Sequence, residues 1–78
     1  MRQLNVDKMN KHQMVYEILN EKNLGFPEYG RQSEKLLKMS EEELIEHMFY
    51  NSKTFNVISN GGKYEDLIVS LIEKNLNI

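Results

Sequence analysis

Apolar and polar positions alternate with a helical period after Asn10. This 3.6-residue period is typical of a helix that buries one face. We therefore predict a helix over residues 11–23, and we expect Gly25 to form its left-handed C-cap. The apolar positions that define the face are Met14, Val15, Ile18 and Leu19.

Two of the predicted helices start with the same local pattern. Asn10 stands three residues before Gln13, and Ser40 stands three residues before Glu43. In a capping box, the first side chain binds the backbone amide three residues later, and the later side chain binds the first amide. A run of three glutamates follows Ser40, and negative side chains stabilise the N-terminal end of a helix, where the dipole is positive. The second pattern therefore predicts a helix over residues 41–50.

The segment between these two helices is less regular. The stretch GFPEYGRQS predicts a loop, and we expect its aromatic residues Phe26 and Tyr29 to pack onto the body of the protein. A short helix over residues 34–39 is predicted after this loop. The spacing of Glu34 and Lys38 supports it, because residues four apart meet on one helix face.

Residues 52–60 carry conflicting signals. Phe55 and Val57 alternate as they would in a strand, whereas Phe55 and Ile58 have helical spacing. Because a single strand would have no partner, we predict a short helix or an ordered loop. Residues 1–9 are predicted to form a loose arm, since chain termini fray unless they are held.

The last predicted helix, residues 64–76, is the most apolar segment. Its apolar face covers more than half of its circumference, so it is either central to the core or shared with another chain. We therefore predict that it contacts a protein partner and that it is the surface through which a homodimer would form. The candidate interaction residues are Leu67, Ile68, Val69, Leu71, Ile72 and Leu76.

These elements predict an all-α single domain, a small bundle of three to four short helices formed by residues 10–78. The chain is 40% apolar with a formal charge of −2. This composition argues against disorder throughout its length. The sequence contains no cysteine, no signal-peptide pattern and no run of eighteen apolar residues. We expect a cytoplasmic protein without a disulfide or a membrane segment.

Motifs for catalysis are absent from the sequence. It contains no P-loop, no HExxH and no nucleophile elbow, so we expect neither an enzyme nor a bound cofactor or metal. Glu43 and His47 share a helix face, but two ligands are too few for a metal site. A solvated Glu–His pair is the favoured interpretation.

Charge is unevenly distributed, with a net +2 over residues 1–38 and −4 over residues 39–78. The basic half offers an alternative function, nucleic-acid binding. Helices 34–39 and 41–50 could form a helix-turn-helix, but the three glutamates would stand near the phosphates and oppose binding. The candidate contacts for this alternative are Arg2, Lys8, Lys11 and Lys22.

The acidic half also carries a candidate docking face for a basic partner, formed by Glu42, Glu43 and Glu46. A solvated helix face is the simpler account of these residues and is favoured. By elimination, the sequence favours a small non-enzymatic regulator, inhibitor or adaptor that binds a protein. Because alanine is absent and lysine, asparagine and isoleucine are frequent, we hypothesise an A/T-rich source such as a low-GC bacterium or a phage.

Overall fold

Four helices and two short strands form the part of the chain that the computed structural model describes, residues 1–76. The predicted bundle of short helices is confirmed, and the structure adds a two-stranded parallel sheet. The strands are β1, Arg2–Asn5, and β2, Phe55–Ile58, and a turn of 3₁₀ helix, Val6–Lys8, follows β1. The helices are α1, Lys11–Lys22; α2, Glu28–Leu37; α3, Glu41–Asn51; and α4, Glu65–Leu76.

The sheet corrects the prediction for residues 52–60. Phe55 and Val57 are buried and Asn56 is exposed, which is the two-residue period of a strand with one buried face. Our expectation of a helix or loop was wrong because it assumed that no partner strand existed. The partner is β1, at the opposite end of the sequence.

The N-terminal segment, which the sequence suggested as a loose arm, lies against β2. Leu4 pairs with Val57 in the parallel register, and Val6 is fully buried in the core. Parallel strands need a long crossover connection, and here α1, α2 and α3 provide it. The first residues of the chain therefore help to close the core.

Both predicted capping boxes are present. The Gln13 amide donates to Asn10 Oδ1 at 2.9 Å, and the Asn10 amide donates to Gln13 Oε1 at 2.8 Å. At the start of α3, the Glu43 amide donates to Ser40 Oγ at 3.1 Å, and the Ser40 amide donates to Glu43 Oε1 at 3.0 Å. These bonds satisfy amides that have no partner within the helix, so the bounds of α1 and α3 follow the sequence closely.

The connection between α1 and α2 differs from the prediction. The left-handed residue after α1 is Asn23, with a φ of 53°, and not Gly25. Asparagine is the residue that most often replaces glycine at such a helix end. Helix α2 begins earlier than predicted, at Glu28, directly after Pro27, whose fixed φ suits a helix start. The Gln32 side chain donates to Glu28 Oε1 at 3.1 Å and supports this first turn.

The early start of α2 also changes the position of Phe26. This ring was expected to pack onto the body, but it is 95% exposed. Residues 23–27 join the two helices, and the Phe26 ring in this connection lies in solvent. The expected packing of Phe26 is therefore wrong.

The core draws side chains from every helix and from β2. Leu44 and Ile45 of α3 are completely buried at its centre. Helix α4 packs against α3 and β2 at one side of the molecule. The other buried apolar residues are Val6, Met14, Val15, Ile18, Leu19, Leu36, Met48, Phe55, Val57, Tyr64, Ile68 and Leu71.

Candidate protein-interaction surface

The start of α4 is fixed by a carboxylate from the other end of the chain. Asp7 Oδ2 accepts hydrogen bonds from the Ser59 hydroxyl at 2.6 Å and the Asn60 amide at 3.1 Å. Its Oδ1 accepts one from the Tyr64 amide at 3.0 Å. The Ser59 bond, followed by the Tyr64 bond, lowers the pKa of the Asp7 carboxyl below its ordinary value. Asp7 thus ties the turn that leads into α4 to the N-terminal segment.

A second contact holds the same end of α4 to α3. The Tyr64 hydroxyl donates a hydrogen bond to the carboxylate of Glu41, in the first turn of α3. Burial of the Tyr64 ring, followed by this bond to Glu41, raises the pKa of the phenol. The residue before α4 is therefore tied to Asp7 through its amide and to Glu41 through its side chain.

The six interaction candidates on α4 divide into three groups. Ile68 and Leu71 are buried in the core and cannot contact a partner in this structure. Leu67 is half-buried and packs against the core. The remaining three, Val69, Ile72 and Leu76, are exposed by 45%, 45% and 77%, and we call them the α4 face.

Two hollows flank Ile72 at the centre of the α4 face. One, of about 350 Å³, lies between α4 and the end of β2 and is lined by Val69, Ile72 and Ile58. The other, of about 370 Å³, is lined by Ile72, Phe49 and Asn75. The surface is therefore ridged: Ile72 lies between two depressions that an apolar side chain of a partner could enter.

The acidic candidates are only partly free to meet a basic partner. Glu43 uses its carboxylate in the capping box, where the bond from the Ser40 amide is the largest cause that lowers the pKa of Glu43. Glu42 is exposed and Glu46 is half-buried. The first-turn position of Glu42 and Glu43 agrees with their role as helix-start acids.

The four basic candidates do not form one patch. Lys11 and Lys22 stand at opposite ends of the twelve-residue helix α1. At a rise of about 1.5 Å per residue, a helix of this size is about 18 Å long. The guanidinium of Arg2 is paired with Glu17 at 3.0 Å, and Lys8, which follows β1, is exposed. Nucleic-acid binding through these residues stays a prediction of the sequence.

His47 lines a hollow near the C-terminal ends of α1 and α3, whereas the Glu43 carboxylate is used at the start of α3. Burial, then the nearby Lys22 and Lys35, lower the pKa of the His47 imidazole. Within residues 1–76, no three His, Asp or Glu side chains are placed to share a metal ion.

Two carboxylates with structural roles were missed by the sequence reasoning. Asp7 has no local motif that connects it to the turn at residues 59–64. Glu21 Oε2 accepts a bond from the Ser52 hydroxyl at 2.9 Å, and its Oε1 accepts the amides of Lys53 and Thr54. Burial opposes ionisation of Glu21, but the bonds from the Lys53 amide and Ser52 outweigh it and lower its pKa. Both carboxylates act on backbone that is distant in sequence, so only the folded chain reveals them.

None of the helices in the described part of the chain has the length and apolar character needed to cross a lipid bilayer. Comparison of the sequence and structure with protein-family models, curated proteins and solved structures finds no match.

Proposed function

We propose that this chain is a small, non-enzymatic regulator, inhibitor or adaptor of the cytoplasm of a low-GC bacterium or its phage. In this proposal, it binds a protein partner through the α4 face. The observation that carries the proposal is the exposure of Val69, Ile72 and Leu76 along one side of a helix whose other side fills the core.

The α4 face is small, so it would form the centre of an interface. A standard interface buries about 800 Å² on each partner and involves roughly 20–30 residues a side, whereas this face has three apolar side chains. In such interfaces a few buried side chains contribute most of the binding energy, and polar residues surround them. Glu65, Asp66 and Glu73 are exposed on the same helix and would belong to that polar surround.

The anchoring of α4 supports the proposal in a second way. A partner that binds a preformed surface does not have to order it, and this reduces the entropic cost of association. Asp7 and Glu41 hold Tyr64, the residue directly before α4, through hydrogen bonds. Ile68 and Leu71 bury the inner side of the helix. The α4 face is thus presented on an anchored element.

The proposal is tested by substituting the central residue of the face. Ile72→Gln should reduce the affinity for a captured partner by about tenfold or more, as expected for a buried contact residue. Phe26→Gln is the matched control, because this apolar side chain is more exposed than Ile72 but lies between α1 and α2. Partners are captured with the immobilised wild type, and their affinities for both variants are measured after circular dichroism confirms folding.

Equal loss of binding in both variants, or unchanged binding in Ile72→Gln, would contradict the proposal. Equal loss would mean that binding responds to exposed apolar side chains in general. Unchanged binding would place the partner on another part of the surface. Failure to capture any saturable partner from extracts of several low-GC bacteria would also count against it.

A second copy of the chain is one protein that could cover the α4 face, and the proposal includes this homodimer. Small domains often complete their apolar surfaces by pairing about a twofold axis. Sedimentation velocity at about 10 μM and about 1 mM should show a larger species at the higher concentration, since dimerisation follows mass action. Ile72→Gln should remain monomeric at both. A monomeric wild type at both concentrations would reject the dimer but would leave the heterologous partner to the capture experiment.

A further inference from the structure

A hollow of about 230 Å³ opens where the C-terminal ends of α1 and α3 meet the turn before β2. Its apolar lining comes from Ile18, Met48 and Phe55, all of which are buried core residues. The polar lining residues are Glu21, Lys22, His47, Asn51, Ser52 and Lys53. The hollow therefore combines an apolar floor with a polar rim that carries two lysines and one carboxylate. An apolar lining with a few polar groups is typical of small-ligand sites.

The electrostatic balance of this hollow is positive. Lys22 and Lys53 line it, and Lys35 of α2 lies close enough to act on the His47 imidazole. Glu21 supplies the one carboxylate among the lining residues, and both of its oxygens already accept hydrogen bonds from residues 52–54. Lys22 and Lys53 against Glu21 leave one positive charge among the lining residues, and Lys35 nearby adds a second. The negative ends of the α1 and α3 dipoles offset about one of these, at roughly half a charge each.

His47 provides a separate observation that points to a missing polar partner. Its Nδ1 atom is buried and has no hydrogen-bond partner among the described residues. Buried polar atoms nearly always have one, so an unpaired nitrogen in a residue that lines a cavity is unusual. In the orientation described, Nδ1 is enclosed by protein atoms, and rotation of the ring by half a turn, which exchanges Nδ1 with Cδ2, is the change by which it would meet a ligand oxygen.

From the cavity, the lysines and the unpaired imidazole, we propose that this hollow binds a small monoanion with an apolar body, of the class of short aliphatic carboxylates. The carboxylate would lie between Lys22, Lys53 and His47. The hydrocarbon would lie on Ile18, Met48 and Phe55. At roughly 30 Å³ for each water-sized group, the volume holds about eight such groups, which suits a carboxylate of about six carbons.

The positive charge of the rim and the apolar floor together favour an aliphatic carboxylate over an alkylammonium ion or inorganic phosphate. A hydrocarbon chain with an ammonium group would bring a further positive charge to three lysines. Inorganic phosphate would satisfy the rim but would leave the apolar floor without a contact. The Glu21 carboxylate attracts Lys53, but its oxygens already accept hydrogen bonds from the turn that follows α3, so it stays at the rim and leaves Lys22 for a ligand anion.

The test is a titration of the full chain with hexanoate, hexylammonium and inorganic phosphate, followed by NMR of the His47 ring. Hexanoate should give a saturable shift with a dissociation constant of about 10 mM or below. Lys22→Gln and Lys53→Gln should each weaken hexanoate binding by about twofold to fivefold, which is the range for partly exposed charge pairs. Lys8→Gln is the matched control, since Lys8 is also exposed but lies beyond the other end of α1.

Four results would overturn the proposal, three from the ligand titrations and one from the control variant. Those from the titrations are no saturable shift with hexanoate, an equal response to hexylammonium, or equal binding of phosphate, which would remove the role of the apolar floor. Equal weakening by Lys8→Gln would show that the response reflects overall charge and would likewise overturn it. The hollow and the α4 face share no lining residue. Each proposal can therefore fail without the other.

Discussion

The Asp7 carboxylate occupies the space that a side chain at Gly62 would need. A Cβ atom at position 62 would lie 2.7 Å from Asp7 Oδ1 and closer still to Cγ and Oδ2, far inside van der Waals contact. The same carboxylate accepts hydrogen bonds on both sides of Gly62, from Asn60 and from Tyr64. The absence of a side chain at Gly62 is thus what allows the N-terminal segment to hold the start of α4.

We predict that Gly62→Ala destabilises the protein by about 1–3 kcal/mol, the range for forcing an extra methyl group into a packed site. The Asp7 side chain is short and held by three bonds, so it cannot move aside without losing them. Urea unfolding gives the free energies. The matched variant Gly30→Ala should instead be neutral or stabilising, by up to about 1 kcal/mol, because alanine favours a helix interior. A Cβ at position 30 meets nothing within 4 Å. Equal stability of wild type and Gly62→Ala would refute this prediction.

Asp7→Asn should destabilise the protein at neutral pH, and the difference should shrink in acid. The folded-state pKa of Asp7 is lowered, so ionisation favours folding above the ordinary value of 3.8, and this contribution is lost as pH falls through the folded pKa. Unfolding free energies of both proteins between pH 7 and about pH 3 measure this effect. Asp66→Asn, in the first turn of α4, is the control, and its effect should be smaller. A wild-type to Asp7→Asn difference that is independent of pH would argue against the assigned role.

His47 should also make the protein less stable at pH values below 6.5, the ordinary pKa of its side chain. The pKa of His47 is lowered in the folded state, so the unfolded chain binds a proton at a higher pH than the folded chain does. The stability present above pH 6.5 therefore declines as the pH falls toward the folded-state pKa. Burial of the ring, then the charges of Lys22 and Lys35, oppose its protonation, and Lys53 and Glu21 line the same hollow.

The check is unfolding at about pH 5 to 8, a window of about one and a half pH units on either side of the ordinary pKa. His47→Gln should remove that part of the pH dependence that His47 contributes. His12→Gln, at an exposed site on α1, should keep it. If the two variants have the same pH profile, His47 is not the responsible group.

Leucines at two positions of α4 should respond very differently to truncation. Leu71 is 1% exposed. Leu71→Ala should therefore cost about 2–5 kcal/mol through lost burial and a residual cavity. Leu76 is 77% exposed. Leu76→Ala should change stability by only about 0.5 kcal/mol at most, as is usual for surface substitutions. Chemical denaturation of both variants tests the division of α4 into a core side and the exposed α4 face. Comparable losses of stability in the two variants would mean that Leu76 is buried and not exposed.

Local physical chemistry accounts for the parts of the fold that were predicted well. A capping box involves atoms three residues apart, and an apolar helix face repeats every three or four residues, so both are visible in a short window of sequence. The start of α3 at Ser40 and the extent of α1 followed from these signals. The burial of Ile68 and Leu71 could not follow in the same way, because the apolar face of α4 is wider than the strip that the core covers.

The amino-acid sequence by itself determined the helical character of the protein, two of its helix starts, and an apolar last helix. Only the tertiary structure decided that Arg2–Asn5 pairs with Phe55–Ile58, that Asp7 holds the start of α4, and that Lys22, His47 and Lys53 meet around one hollow. The physical reason is the distance along the chain over which each interaction acts. Strand pairing and the Asp7 bonds join residues more than fifty positions apart, and such contacts form only when the core brings both ends of the chain together.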